Sequence, residues 1–333
     1  MRALDYRRPA TPEEAVELAS GTPGARFIAG GSNLVDHLKL GIASPEVLVD
    51  VSRLPLDTVA VHEGEGRAVL RIGANVRNTD LAAHPVVRSR FPVVARATLA
   101  GASGQIRNQA TTAGNLLQRT RCVYFQDVTT PCNKREPGTG CSAAGGYGRY
   151  NAILGASPQC VTTHPSDLAV ALAAVDATVV VLGADGERRI AFDDLHRLPG
   201  DRPDLDTTLA PSDLVTAVEL PMDDSARTST YTKVRDRASY AFALVSVAAT
   251  LRLEHERVSE VRIAWGGVAH KPWRARRAEA ALVGGRLDED GIRAAVDDEP
   301  AAATTDEGTA YKVAMVRNTT TMTLLGLAGR AAR

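Results

Sequence analysis

Apolar and polar positions alternate along the chain in short blocks that predict a mixed α+β protein. Near the N-terminus, Thr11 and Glu14 form a capping box that predicts a helix. Apolar blocks at residues 26–29 and 47–51 predict strands, and helical apolar spacing begins between them at Leu34. This part of the chain therefore predicts a small βαβ-like unit whose first strand ends at a glycine turn.

The middle of the chain continues with extended and helical blocks. Residues 69–75 and 214–220 have the apolar, β-branched character of strands, and so do residues 178–182. Residues 85–99 have largely helical spacing. Ser166 is a predicted N-cap, because an apolar helical stretch follows it directly.

The C-terminal third has a different pattern. A short polar stretch at residues 222–228 predicts a domain boundary. The predicted elements after it are strands at 231–234, 243–253 and 258–268 and helices at 275–282 and 311–328. Consecutive strands joined by polar turns are typical of an antiparallel meander.

Composition narrows the class of protein. With 333 residues, 44% apolar and 23% charged, the chain is expected to be a soluble globular protein of two or three domains. Thirty-nine basic residues balance 39 acidic ones, so the totals favour neither a nucleic-acid partner nor a membrane surface. No apolar run is long enough for a membrane-spanning helix.

All four cysteines of the chain fall between residues 122 and 160: Cys122, Cys132, Cys141 and Cys160. Prolines and glycines interrupt this stretch, so neither a helical nor an alternating period continues through it. A polynuclear iron–sulfur cluster takes four thiolates and would give a reason for such a loop. Two disulfides, a zinc site or unligated thiols remain open, and His164 is either a substitute ligand or an ordinary loop residue.

Two glycine-containing segments are candidate phosphate-binding loops. Residues 29–34, Ala-Gly-Gly-Ser-Asn-Leu, join a strand to a helix, where main-chain amides can face an anion. Residues 105–116 are rich in small, hydroxyl and amide side chains that can donate to phosphate oxygens. Each segment alone is equally compatible with a plain turn or connection, but two such loops favour a bound cofactor.

Charged residues near these segments have two interpretations each. Asp167 lies in the first turn of a predicted helix, where the helix dipole alone favours a carboxylate. Lys233, Arg235 and Arg237 alternate along an extended segment and can share one face of a strand. That face is either solvated or directed at a phosphate or flavin.

The order of four motifs resembles the FAD-binding subunit of the xanthine dehydrogenase family over nearly the whole chain. The motifs are residues 27–34, 111–115, 163–168 and 233–235. More narrowly, residues 118–122 and 131–138 resemble the flavin subunits of bacterial periplasmic aldehyde oxidoreductases, which carry a 4Fe-4S cluster on a four-cysteine insertion. Ala113 departs from the glycine of many relatives.

The resemblance implies a two-lobed FAD-binding domain of the p-cresol methylhydroxylase type and a small C-terminal α+β domain. The expected ranges are 1–53 and 54–222 for the two lobes, about 119–162 for the iron–sulfur insertion, and 228–333 for the C-terminal domain. The implied FAD-binding residues are Phe27, Ile28, Ala29, Gly30, Gly31, Ser32, Asn33, Leu34, Thr111, Gly114, Asn115, Asp167, Lys233 and Tyr240. The implied cluster ligands are Cys122, Cys132, Cys141 and Cys160.

The implied function is electron transfer within a heterotrimer. A large subunit with a molybdenum cofactor would oxidise the substrate, and a small subunit with 2Fe-2S clusters would pass electrons to FAD here and on to an external acceptor. No nucleophile or general base is therefore expected in this chain. The chain is expected in the cytoplasm, or in the periplasm if a partner carries the export signal. A stand-alone flavin oxidase and a disulfide-braced binding module remain alternatives.

Overall fold

The computed structural model describes residues 3–63 and 66–331 and contains three sheets with helices packed against them. The mixed α+β class predicted from the sequence is confirmed. Residues 1–2, 64–65 and 332–333, which belong to the predicted domain ranges, lie outside the described residues. Among the helices described, none combines the length and the hydropathy that crossing a bilayer requires.

The first sheet is small and parallel, with strand order β1-β3-β2. Its strands are β1 Asp5–Arg7, β2 Arg26–Ile28 and β3 Val47–Asp50, and its helices are α1 Pro12–Gly21 and α2 Leu34–Lys39. The capping box forms, because Thr11 Oγ1 accepts from the Glu14 N–H at 3.1 Å and the Glu14 carboxylate accepts from the Ala10 N–H at 2.6 Å. The predicted βαβ-like unit is β2-α2-β3, and β1 is an edge strand that the apolar pattern did not indicate.

The second sheet is antiparallel, with strand order β4-β5-β8-β6-β7. Its strands are β4 Val59–Glu63, β5 Ala68–Gly73, β6 Thr178–Gly183, β7 Gly186–Ala191 and β8 Leu214–Pro221. The helices of this region are α3 Asn78–Ala83, α4 Pro85–Arg90, α5 Pro92–Ala100, α6 Gly104–Gln109, α7 Thr112–Leu116, α8 Val123–Gln126, α9 Asp167–Ala174 and α10 Phe192–Leu195. Every residue of α9 is buried, so this helix is the centre of the largest core.

The predicted helical stretch at residues 85–99 is divided into α4 and α5 at Phe91. Pro92 takes the first position of α5, and a following proline disfavours helical angles for Phe91, which adopts φ −132° and ψ 57°. Phe91 is fully buried. The break therefore places an aromatic ring in the core.

The third sheet is an antiparallel meander with strand order β12-β11-β10-β9, as predicted. Its strands are β9 Ser229–Val234, β10 Val245–Glu254, β11 Arg257–Gly266 and β12 Trp273–Arg274. The helices after it are α11 Arg276–Leu282, α12 Glu289–Asp298 and α13 Tyr311–Ala331, with a 3₁₀ turn at Pro300–Ala302. His255 and Glu256 form the turn between β10 and β11 with positive φ angles.

The threonines of α13 are accommodated by their hydroxyl groups. Thr320 Oγ1 donates to Val316 O at 2.8 Å and accepts from Trp265 Nε1 at 3.1 Å, and Thr323 Oγ1 lies 2.9 Å from Thr232 Oγ1. Hydroxyls that bond the preceding helical turn are not left unpaired in an apolar contact. The β-branched run therefore packs the helix onto the sheet instead of ending it.

A buried arginine joins the third sheet to α9. Arg274 donates from Nε and Nη2 to the two carboxylate oxygens of Glu279 at 2.9 and 3.0 Å. Its Nη1 also donates to Ala173 O at 2.8 Å, at the end of α9, and contacts Asp176. Removal of one partner of a buried ion pair leaves an uncompensated charge.

We predict that Glu279→Gln lowers the free energy of unfolding by about 3 kcal/mol, because the guanidinium of Arg274 keeps its burial and loses its bidentate partner. The measurement is denaturant unfolding of the full chain, followed by far-ultraviolet circular dichroism. Glu289→Gln is the matched control, since Glu289 and Arg293 form an exposed pair one helical turn apart, and its expected effect is below about 0.5 kcal/mol. Equal effects of the two changes would contradict the role given to Arg274.

Candidate cofactor site

A cavity of about 430 Å³ lies where residues of all three sheet regions meet. This volume is within the range of small-molecule sites. Seven of the predicted FAD-binding residues line it: Ser32, Asn33, Gly114, Asn115, Asp167, Lys233 and Tyr240. The other seven belong to the strand, turn and helix starts that carry these residues: Phe27, Ile28, Ala29, Gly30, Gly31, Leu34 and Thr111. Both predicted loops therefore reach one cavity.

The two loops are in direct contact at Gly30. A Cβ atom on Gly30 would lie 2.2 Å from the main-chain oxygen of Gln109, and Gln109 Nε2 donates to Gly30 O at 3.2 Å. Gly31 has a φ angle of 70°, which other residues rarely adopt. The glycine pair is thus required for two reasons, space at Gly30 and backbone conformation at Gly31.

Asn33 has a side-chain donor available at the cavity. Its Oδ1 accepts from the main-chain N–H of Arg119 at 3.0 Å, which fixes the orientation of the amide. Its Nδ2 is buried and has no hydrogen-bond partner among the described residues. A buried donor without a partner is costly, so this nitrogen suits an acceptor oxygen of a ligand such as a phosphate.

The second loop consists of two short helices that the sequence analysis described only as a polar segment. Thr111 Oγ1 caps α7 by accepting from the Gly114 N–H at 3.2 Å. Asn115 Oδ1 accepts from Ser166 Oγ at 2.6 Å, and the same hydroxyl caps α9 through the Ala169 N–H at 3.0 Å. The side chains of Thr111 and Asn115 therefore help to fix the first turns of α7 and α9 at the wall of the cavity.

Asp167 and Lys233 form a buried ion pair in the cavity. Lys233 Nζ lies 2.7 Å from Asp167 Oδ2 and 3.2 Å from Ala100 O. Tyr231, which the sequence analysis missed, donates its hydroxyl to Asp167 Oδ1 at 2.5 Å. Burial, followed by the charge of Asp167, raises the pKa of Tyr231 well above its ordinary value, so this phenol remains a donor. The side chain of Lys233 therefore lies buried at the cavity and not on a solvated strand face.

Tyr240 lies on the exposed loop between β9 and β10 and has a φ angle of 51°. The guanidinium of Arg237 lies 5.8 Å from the centre of the Tyr240 ring. Asp236, on the same loop, pairs with Arg149 at 2.5 Å and accepts from the Tyr150 hydroxyl. These contacts attach the loop that carries Tyr240 to the part of the chain that contains the cysteines.

We refer to residues 119–162 as the cysteine segment. Its four cysteines line one small cavity of about 10 Å³, and all four are free thiols. Cys132 and Cys141 are paired across an isolated antiparallel bridge. In the described ranges 3–63 and 66–331, no three side chains of histidine, cysteine, aspartate or glutamate converge on a position for a single metal ion.

The cysteine cavity and the larger cavity share a wall formed by Thr120, Cys122 and Thr162. Burial raises the pKa of the Cys160 thiol to about 11 and also raises the pKa of Cys122. Both thiols are therefore neutral unless a bound cation or metal centre stabilises the thiolate form.

His196 and His270 are buried, and His164 is partly buried. Nε2 of His164 and Nε2 of His196 lie 3.3 and 2.9 Å from Leu116 O, and the ring centres are 4.4 Å apart. His164 lines the larger cavity and is not among the residues that line the cysteine cavity. Neither ring nitrogen of His270 has a partner in the described part of the chain, and burial lowers its pKa to about 3.

Comparison with known proteins gives the class of this chain. Residues 2–223 match the family described as the FAD binding domain in molybdopterin dehydrogenase, and residues 229–326 match the CO dehydrogenase flavoprotein C-terminal domain. The chain therefore belongs to the FAD-binding subunits of the molybdenum hydroxylase family, which are subunits of oxidoreductases. The predicted fold, an FAD-binding domain followed by a C-terminal α+β domain, is confirmed.

Individual relatives agree with this class. The aldehyde oxidoreductase FAD-binding subunit PaoB of Escherichia coli is 53% identical over 283 residues, which cover 85% of this chain and 86% of PaoB. The carbon monoxide dehydrogenase medium chain of Hydrogenophaga pseudoflava is 26% identical and covers 88% of this chain and 85% of its own length. A solved carbon monoxide dehydrogenase from that organism superposes with a TM-score of 0.75 and 25% identity over 99% of this chain and 98% of the other.

We predict that Gly30→Ala weakens FAD binding at least about tenfold, because the new methyl group would overlap Gln109 O and separate the two loops. The measurement is calorimetric titration of FAD into flavin-free protein. Gly104→Ala is the matched control, since nothing lies within 4 Å of a Cβ atom there. Unchanged FAD affinity in Gly30→Ala would show that the contact between the loops is not needed.

We also predict an acid-sensitive stability that depends on His270. Because the folded-state pKa, about 3, lies below the ordinary value of 6.5, the unfolded state takes up the proton first as pH falls. His270 therefore has no effect on the free energy of unfolding above about pH 6.5. Between pH 6.5 and about 3, it lowers that free energy by about 1.4 kcal/mol for each pH unit. His270→Leu should reduce the slope of unfolding free energy against pH by that amount, and an unchanged slope would contradict the assignment.

Proposed function

We propose that this chain is the FAD and iron–sulfur electron-transfer subunit of a heterotrimeric molybdenum hydroxylase of the aldehyde oxidoreductase type. Its partners would be a large subunit with a molybdenum cofactor and a small subunit with 2Fe-2S clusters, and FAD would deliver electrons to an external acceptor. The similarity to PaoB over most of both chains supports this assignment. The main observation in support of this assignment is that the cysteine cavity and the larger cavity share a wall, which is formed by Thr120, Cys122 and Thr162.

The proposed FAD site uses the residues predicted from the sequence. Main-chain amides of residues 27–34 and the second loop, with Thr111, Gly114 and Asn115, would hold the pyrophosphate. Asn33 Nδ2 is the donor that this structure makes available for it. Asp167, Lys233 and Tyr240 would lie along the rest of the cofactor, and their placement around one cavity of about 430 Å³ supports this arrangement.

The proposed cluster ligands are Cys122, Cys132, Cys141 and Cys160. A 4Fe-4S cluster distributes its four thiolates over four iron atoms, so its ligands do not converge on one point as they do around a single ion. Four unpaired thiols around one cavity have this ligand chemistry.

The protein groups around FAD would bind and orient it. FAD supplies the hydride and electron chemistry. Tyr231 and Lys233 keep Asp167 fully hydrogen-bonded, and His164 bonds Leu116 O, so neither group is placed as a free acid or base. This arrangement favours electron transfer over direct oxidation of a substrate in this chain, and the unpaired thiols do not favour the disulfide-braced module.

Two further assignments follow from the same proposal. The domain ranges would be 1–53 and 54–222 for the FAD-binding lobes and 228–333 for the C-terminal domain, with the cysteine segment inserted into the second lobe. The complex would act in the cytoplasm, or in the periplasm after export with a partner. Neither nucleic acid nor membrane insertion has a role in this function.

We predict that Cys132→Ser removes the 4Fe-4S cluster while part of the FAD remains bound, because a serine hydroxyl replaces one of four thiolates. The measurement is iron and FAD content with electron paramagnetic resonance spectra of the anaerobically purified complex. About half of the iron should be lost if the small subunit carries two 2Fe-2S clusters. Val128→Ser is the matched control, because Val128 is an exposed residue of the same segment, and this variant should keep its full iron content. Full iron content in Cys132→Ser would contradict the ligand assignment.

The same preparation separates the alternatives. Iron and flavin together, with both partner subunits, support the proposed subunit. Flavin without iron or partners would indicate a stand-alone oxidase. A colourless protein would indicate a binding module.

A further inference from the structure

A partly buried charge cluster lies beside the cysteine cavity, where Asp206 meets Arg119 and Lys134, and Lys134 also lines that cavity. Asp206 Oδ2 accepts from Arg119 Nε at 2.6 Å, and Asp206 Oδ1 pairs with Lys134 Nζ at 2.6 Å. Lys134 is only 5% exposed and also donates to Pro203 O at 2.7 Å. Asp206 belongs to the connection between α10 and β8, and neither motif nor spacing in the sequence pointed to it.

Arg119 connects this cluster to the glycine-containing segment at residues 29–34. Arg119 donates its main-chain N–H to Asn33 Oδ1 at 3.0 Å. That bond orients the Asn33 amide, so its unpartnered Nδ2 is the nitrogen left for a ligand. The main-chain position of Arg119 therefore fixes the orientation of the Asn33 amide at the larger cavity.

Lys134 connects the cluster to the cysteines. Lys134 follows Cys132 by two residues, and Cys132 is paired with Cys141 across the bridge within the cysteine segment. Arg119 Nη2 also donates to Lys134 O at 3.3 Å. Lys134 therefore connects the chain next to Cys132 with Asp206 through its side chain and with Arg119 through its main-chain oxygen.

Two more contacts hold the cysteine segment against α2, the helix that begins at the end of residues 29–34. Arg121 lies 3.6 Å from Asp36, and the ring of Phe125 meets His37 edge to face at 5.7 Å between centres. Phe125 is fully buried, and the guanidinium of Arg119 lies 4.8 Å from its ring centre. The segment and α2 therefore form one packed unit.

We propose that Asp206 is a positioning residue that couples occupation of the cysteine site to FAD binding. The inference rests on the proposed function, since it requires both cofactors. With the cysteine site occupied, Cys132 and Lys134 would be ordered and would hold Asp206 and Arg119 in place, and the main-chain N–H of Arg119 would keep Asn33 oriented toward FAD. Coupling of this kind is reciprocal, so each cofactor strengthens the binding of the other, typically about 5- to 150-fold.

The test is a double-mutant cycle on the anaerobically purified complex. FAD is removed and titrated back by calorimetry into the wild type, Asp206→Asn, Cys132→Ser and the double variant. We expect each single change to weaken FAD binding at least about fivefold and the double variant to be no weaker than Cys132→Ser alone. Asp204→Asn is the matched control, because Asp204 pairs with exposed Arg202 and meets Arg119 only through its main-chain oxygen, and it should leave the affinity unchanged.

A second measurement follows the reciprocal effect. Saturating FAD should slow the loss of cluster iron to a chelator in the wild type and not in Asp206→Asn. Additive effects of the two changes on FAD affinity would show that Asp206 has only a structural role and would overturn the coupling. An FAD affinity that does not differ between the wild type and Cys132→Ser would also overturn it, with the proposed function intact. Absence of a cluster from the wild type would refute the proposed function and the coupling together.

Discussion

The buried ion pair between Lys233 and Asp167 is the interaction on which the cavity depends. Two charges removed from water are tolerated only when each meets its partner closely, and here the distance is 2.7 Å. Asp167 begins the fully buried helix α9, and Lys233 lies on β9 of the third sheet. The pair therefore joins the FAD-binding domain to the C-terminal domain at the cavity itself. Tyr231 also donates to the carboxylate, so Asp167 has a partner on each of its two oxygens.

Much of the fold was predictable because its elements carry strong periodicity. The unit β2-α2-β3, helix α9 and the meander each follow the apolar pattern that packing against a hydrophobic core imposes, and they contribute to three such cores. The helices α6 and α7 were missed because their apolar residues are few and their caps, Ser103 and Thr111, resemble loop residues. Tyr231 and Asp206 were missed for another reason. Their partners lie 64 and 87 residues away in the sequence, and no local pattern reports such contacts.

The cysteine segment shows how a chain without periodicity can still have a defined structure. Asn133 Oδ1 accepts from the N–H groups of Gly138 and Gly140 at 3.1 and 2.8 Å, and Arg135 donates to Tyr124 O and Phe125 O at 2.9 and 2.8 Å. Side chains thus satisfy the main-chain groups that a helix or sheet would pair. Sequence identified the segment by its cysteines, but only the structure shows that polar side chains fix the positions of the thiols.

Both tryptophans of the chain lie in the C-terminal domain, where Trp265 on β11 is paired with Trp273 on β12. Trp265 is fully buried, and its indole nitrogen is bonded to α13. Tryptophan emission from this protein therefore originates in one domain only, whereas the yellow colour of an isoalloxazine would originate at the junction with the other domain. Two optical signals from separate regions allow the opening of each to be timed independently during denaturation.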